Sequence, residues 1–179
     1  MRIVSGKYKG KQFFPPKGIK ARPTTDFSKE GLFNVLNNKI SFSEVSVLDL
    51  FAGTGNISFE FISRGCIDIT CVDQSFESYR FIKSMGVELK TNINVIKSDV
   101  FKFISKKPLK MFDMIFADPP YAIENIEQIP KLIFENNWLN PDGILIVEHD
   151  NKTDLSKLNN FTECRNYGKV HFSFFNNQN

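Results

Sequence analysis

An apolar run, Val47-Leu48-Asp49-Leu50, passes without a break into the turn Phe51-Ala52-Gly53-Thr54-Gly55. Glycine at 53 and 55 lets the backbone reverse tightly and approach a ligand with no side chain in the way. A strand feeding such a turn, and then a helix, is the opening unit of an open α/β sheet. The chain downstream keeps that rhythm. Strands are predicted over 45–50, 67–72, 94–97, 112–117 and 143–148, and helices over 56–64, 75–89, 100–105 and 126–137. In the second of these helices Phe76, Tyr79, Ile82 and Val87 are the expected core positions. The alternation predicts a Rossmann-like α/β fold, a mostly parallel sheet with helices on both faces. Two last runs, 161–167 and 169–175 around Gly168, break the rhythm and predict an antiparallel pair at the sheet edge.

Ahead of the sheet, residues 2–5 and 11–14 flank a Gly6-to-Gly10 turn and predict a hairpin. Pro15-Pro16 ends it, and a helix over 26–38 follows, capped by Thr25 or Asp26. A boundary near 38–44 divides the chain into an N-terminal extension, 1–40, and a sheet domain, 41–179. Charge divides at the same place. Residues 1–39 hold nine Lys/Arg against two acids, or +7, whereas the whole chain carries +3. A basic head on a mildly acidic body implies a polyanionic partner, for which nucleic acid is the expectation. Arg2, Lys7, Lys9, Lys11, Arg22, Thr24, Thr25 and Lys29 are the expected contacts.

Other classes fall away. No apolar run is long enough to span a membrane, and the first residues lack the apolar core of a signal peptide. Cys66, Cys71 and Cys164 have no paired spacing, which suits a reducing cytoplasm, the expected location. His149 and His171 stand apart in sequence, so no metal site is expected. A monomer is expected.

In open α/β sheets ligands sit beyond the carboxyl ends of the strands. Asp49, the Gly53/Gly55 loop, Asp73, Asp99 and Asp118 all map to such ends. The dinucleotide fingerprint is incomplete, because Ser58 stands where its third glycine belongs. A cofactor without phosphates fits better, with Asp49 facing a cationic end. Asp73 is placed for ribose hydroxyls, and Asp99 for an adenine amine or for capping the next helix. The expected cofactor-binding set is Asp49, Phe51, Ala52, Gly53, Thr54, Gly55, Asp73, Gln74, Asp99 and Val100, and the expected cofactor is S-adenosylmethionine.

The complementary motif is Asp118-Pro119-Pro120-Tyr121, straight after the apolar run 114–117. A nucleobase amine is a poor nucleophile, because its lone pair is delocalised into the ring. Asp118 and the Pro119 carbonyl can accept from its N–H groups and orient that lone pair. Proline fixes φ and leaves no competing N–H in the turn, and Tyr121 can stack on a flat base. Asp118, Pro119 and Tyr121 are therefore the expected catalytic residues of an amino-group methyl transfer.

With these residues in hand, the chain resembles the D-type bacterial 16S rRNA guanine-N2 methyltransferases of the small ribosomal subunit, over nearly its whole length. Arg2-Ile3-Val4-Ser5-Gly6 with Lys9-Gly10-Lys11 is similar to the family's N-terminal signature, and Arg22-Pro23-Thr24-Thr25-Asp26 with Lys29-Glu30 to its most specific motif. Phe27 stands where the family usually has a basic residue, and Asp73 where it usually has Glu. The resemblance implies a seven-stranded sheet with its last strand antiparallel, and 16S rRNA or the small ribosomal subunit as partner. Two alternatives stay open. One is an amino-methyltransferase acting on DNA adenine N6 or protein glutamine, and the other is a non-catalytic RNA-binding assembly factor on the same fold.

Overall fold

A computed structural model describes residues 1–19 and 25–177, so the expectations for Arg22 and Thr24 lie outside the described residues. The elements follow in the order α1 (Asp26–Leu36), β1 (Ser46–Leu50), α2 (Asn56–Ser63), β2 (Asp68–Asp73), α3 (Phe76–Glu88), β3 (Asn94–Lys97) and α4 (Val100–Ile104). Then come β4 (Phe112–Ala117), α5 (Gln128–Glu135), β5 (Leu139–His149), β6 (Phe161–Tyr167) and β7 (Val170–Asn176). One sheet of seven strands runs β3-β2-β1-β4-β5-β7-β6. β1, β2, β3, β4 and β5 pair in parallel, and β7 inserts antiparallel between β5 and β6. The order reverses between β1 and β4, which opens a crevice at their carboxyl ends.

Period-two alternation sorts the strand side chains onto two faces. Val47, Cys71, Met114, Phe116 and Ile146 join one apolar cluster with residues of α1, α2 and α3. Leu48, Val72, Ile115, Ala117, Leu145 and Val147 join the other, with residues of α4 and α5. Side chains buried on both faces make the near-continuous apolar runs seen in the sequence.

Three expectations need correction. In α3 the buried stripe is Ser78, Ile82 and Gly86, at a spacing of four. Phe76 and Val87 lie off that stripe and are 50% and 79% exposed. Phe76 instead stacks on Tyr79, with Lys97 Nζ 5.5 Å from its ring. β5 starts at Leu139, before the predicted strand, because Asn140-Pro141-Asp142-Gly143 continues it through a register shift against β4. The two histidines are not apart: β5 and β7 pair His149 with His171, rings stacked 5.6 Å apart. His149 Nε2 meets Ser173 Oγ at 2.8 Å, and burial holds its pKa down. No cluster of three or more metal-ligating side chains occurs among the described residues. Nor is any described helix long and apolar enough to cross a membrane.

The N-terminal segment is bound into the same core. Its hairpin is reduced to one bridge, Arg2 with Gln12, and Ile3 and Phe13 lie in the cluster that holds α1 and α2. The Glu60 carboxylate, fully buried in α2, accepts from Val4 N at 2.9 Å and Ser5 N at 3.0 Å. Gly6 then turns at φ 80°, with its backbone pressed on α2 so closely that a Cβ would fall 1.9 Å from Ser63 O. Only glycine tolerates both conditions. The boundary proposed near 38–44 is thus a change of charge, with the packing continuous across it.

Candidate active site

A cavity of about 610 Å³ opens at the carboxyl ends of the central strands. Gly53, Asp73, Gln74 and Asp99 stand on its wall together with Asp118, Pro119 and Tyr121, so one chamber joins the two motifs read from sequence. Phe51 and Val100 of the expected set also line it.

The loop after β1 is built by backbone hydrogen bonds. Ala52 N donates to Val72 O at 3.1 Å and Gly55 N to Ala52 O at 2.7 Å. Gly53 and Gly55 sit at φ 53° and 71°. Phe51 holds φ 59° without being glycine, a strain of roughly 1–3 kcal/mol of the kind found at ligand sites. Its ring packs edge-on against Phe101 at 6.1 Å, which secures it. Asp118 N donates to Leu50 O at 3.3 Å and so ties the Asp-Pro-Pro-Tyr turn to the end of β1.

Asp73 ends β2. Its Oδ2 accepts from Gly53 N and its Oδ1 from Ser75 N, both at 2.8 Å. Each carboxylate oxygen keeps a further lone pair for a ligand hydroxyl. Asp99 caps α4, accepting from Lys102 N at 2.8 Å, and lines the cavity as well. Both roles read for it are therefore available at once.

Asp49 departs from expectation. It lies inside β1, paired with Cys71 and Phe116, and is 2% exposed. Its Oδ2 accepts from Ser58 Oγ, and burial raises its pKa to about 7. It sits behind the cavity wall, so the direct contact with a cationic ligand end read from the sequence gives way to a supporting position beneath the loop. Ala52, Thr54 and Gly55 shape that loop and do not line the cavity.

The expected RNA contacts divide in two. Lys7 and Lys9 are exposed on the hairpin. Arg2 pairs with Asp26 at 2.8 Å and Lys11 with Glu88 at 2.7 Å, surface pairs worth little against a phosphate. Thr25 caps α1, accepting from Ser28 N at 3.2 Å. Lys29 is a correction. Its side chain is fully buried, with Nζ donating to Arg2 O and to Asn56 Oδ1 and lying 3.5 Å from Glu60. It faces α2 across the core, and no phosphate reaches it.

The sequence reading missed Glu148, Ile19, Phe101 and Ser78 on the cavity wall. Only Glu148 carried a signal: an acid at the end of a predicted buried strand, as at Asp73.

The family described as Conserved hypothetical protein 95 matches residues 1–176. Ribosomal RNA small subunit methyltransferase D of Buchnera aphidicola subsp. Baizongia pistaciae is 32% identical over 186 residues, covering all of this chain and 93% of that one. A solved Escherichia coli structure described as a candidate methyltransferase, yhhF, is 26% identical with a TM-score of 0.85, over 98% of this chain and 96% of the other. The Thermus thermophilus 16S rRNA N2 guanine methyltransferase RsmC, solved with AdoMet and guanosine, shares the fold at 17% identity. Its TM-score is 0.70, over 90% of this chain and 46% of that one.

Proposed function

The chain belongs to the ribosomal RNA small subunit methyltransferase D family, and we propose that it methylates the exocyclic N2 amine of a guanine in 16S rRNA, using S-adenosylmethionine. The single observation that carries this reading is the shared chamber, with the Gly53 loop and Asp73 on one wall and the Asp118-Pro119-Pro120-Tyr121 turn on another.

The residues present fit the cofactor. The cavity volume is that of an ordinary ligand pocket, roughly 300–1,000 Å³. Asp73 has acceptor capacity for ribose hydroxyls, Asp99 for an amine, and Val100 and Phe101 offer an apolar bed for a flat ring. Gln74 and the Phe51 to Gly55 loop complete the set, with Asp49 beneath it. When bound, S-adenosylmethionine supplies an electrophilic methyl group on a cationic sulfonium. The chain's own part is positioning, the main source of acceleration in such a transfer. Asp118 and the Pro119 carbonyl hold the target amine by its N–H groups. Tyr121 is 42% exposed at the cavity mouth, where it can cover the base by stacking. A base must leave its helix to enter such a pocket, so the target is an unpaired or flipped guanine.

Nucleoside mass spectrometry of 16S rRNA from cells lacking the gene tests the reading: one N2-methylguanosine should disappear and return on complementation. An unchanged nucleoside profile overturns it. Gly53→Val should abolish S-adenosylmethionine binding by calorimetry, since a β-branched residue resists φ 53° and the loop would reshape.

The basic head is the proposed RNA surface, through Arg2, Lys7, Lys9, Lys11 and Arg22, with Thr24 and Thr25 as further proposed contacts. Each phosphate contact adds roughly 0.7–0.9 to the slope of log affinity against log salt. Replacing Lys7, Lys9 and Lys11 with alanine should flatten that slope by about two to three units while cofactor binding stays unchanged. An unaltered slope would assign recognition to the rim of the sheet. Acting on ribosomal RNA, the protein works in the cytoplasm, and a single copy carries every residue of the proposed site.

A further inference from the structure

Glu148 lines the cavity although it is only 4% exposed. It is the penultimate residue of β5, the strand beside β4. Ala117 pairs with Val147 in parallel register, so Asp118, just past the end of β4, and Glu148 of β5 follow one step beyond that pair. Neighbouring strands lie about 4.8 Å apart. Both residues also share a face by period two. Phe116 and Ile146, two positions earlier, lie in one apolar cluster, and Ala117 and Val147 in the other. Two carboxylates thus reach the same chamber side by side.

Two carboxylates converging from neighbouring strands can meet the Watson–Crick edge of guanine. Guanine presents two adjacent donors there, the 2-amine and the ring N1–H. Adenine presents its amine beside a bare N1 lone pair. With Asp118 holding the 2-amine, which is the reading given above and on which this rests, we propose that Glu148 accepts the N1–H of the same guanine and makes the site selective for it. A carboxylate set against a ring lone pair meets repulsion and loses its partner in a dry site, where an unmade hydrogen bond costs most. Sites built to bond one substrate N–H reject analogues lacking it far better than apolar pockets do.

The discriminating substrate is 2,6-diaminopurine, which keeps the 2-amine but has a lone pair at N1. Small-subunit rRNA carrying guanine or 2,6-diaminopurine at the methylated position is given to the full chain in single-turnover assays. Wild type should prefer guanine by about 10²-fold or more. Glu148→Gln can turn its NH₂ toward N1, so it should lose rate on guanine, gain on 2,6-diaminopurine, and lower the preference at least tenfold. Its affinity for S-adenosylhomocysteine should be unchanged. Equal wild-type rates on the two bases overturn the proposal, and that arm stands whether or not the variant folds. A folded Glu148→Gln with the wild-type preference overturns it too. Wild type that methylates guanine nowhere in the RNA overturns the functional reading itself, and this result is distinct from the other two.

Discussion

Asp118→Ala should lower the single-turnover rate by on the order of 10²-fold or more while leaving cofactor affinity nearly intact. The carboxylate follows β4 directly, and its amide is bonded to Leu50 O, so the turn stays anchored when the side chain is removed. Gly53, Asp73 and Asp99 are untouched, and those are the groups assigned to the cofactor. What is lost is the acceptor proposed to fix the amine's lone pair. A loss confined to the transition state lowers kcat and kcat/KM together and leaves binding alone. Asp118→Asn keeps one carbonyl acceptor and should recover part of the loss. Rapid-quench kinetics with saturating RNA make the measurement. A near-normal rate in Asp118→Ala would show that another group holds the amine.

The fold was legible because the inner parallel strands β1, β2 and β4 are short, apolar runs closed by turns. β3 and β4 begin and end where the pattern predicted. β5 was not, because Pro141 and Gly143 read locally as a turn, and only pairing with β4 carries the strand through them. The outer face of α3 misled for a related reason. An apolar Val87 looks like core, yet the stripe that meets the sheet runs through Ser78 and Gly86, whose smallness lets the helix approach. At the site, the backbone motifs at Gly53 and Asp118 were readable because turns need particular residues. Glu148 was not, since its meaning depends on a neighbour 30 positions earlier in the chain, brought alongside by the register of β4 and β5. Lys29 shows the opposite error. Charge in a basic segment suggested a phosphate contact, while the fold buries that charge against an acid 31 positions away.

That buried pair governs how the basic head is held, and Glu60→Ala should cost about 3–5 kcal/mol of folding stability. Glu60 and Lys29 are both fully buried, and Arg64 Nη2 lies 3.0 Å from the same carboxylate. Burial is the main cause that pulls the Lys29 pKa down, with the Arg2 charge adding to it, and Glu60 is the leading influence that opposes it. Removing Glu60 leaves an ammonium in the core with only neutral acceptors, and strips Val4 N and Ser5 N of their shared partner. Urea unfolding should show a lower midpoint at unchanged m-value. The double substitution Lys29→Met with Glu60→Leu removes both fully buried charges and should recover part of the charge-related loss, because apolar pairs of similar volume often replace buried ion pairs without net cost, while Arg64 is left without its carboxylate partner. The two orphaned backbone amides remain in that variant. It should therefore fold yet hold its first residues loosely, and show faster hydrogen exchange at Val4 and Ser5 than wild type. RNA affinity should fall with it, since Lys7 and Lys9 are aimed by the segment those two amides anchor. If the double variant binds RNA as wild type does, the head needs no fixed attachment to α2 to do its work.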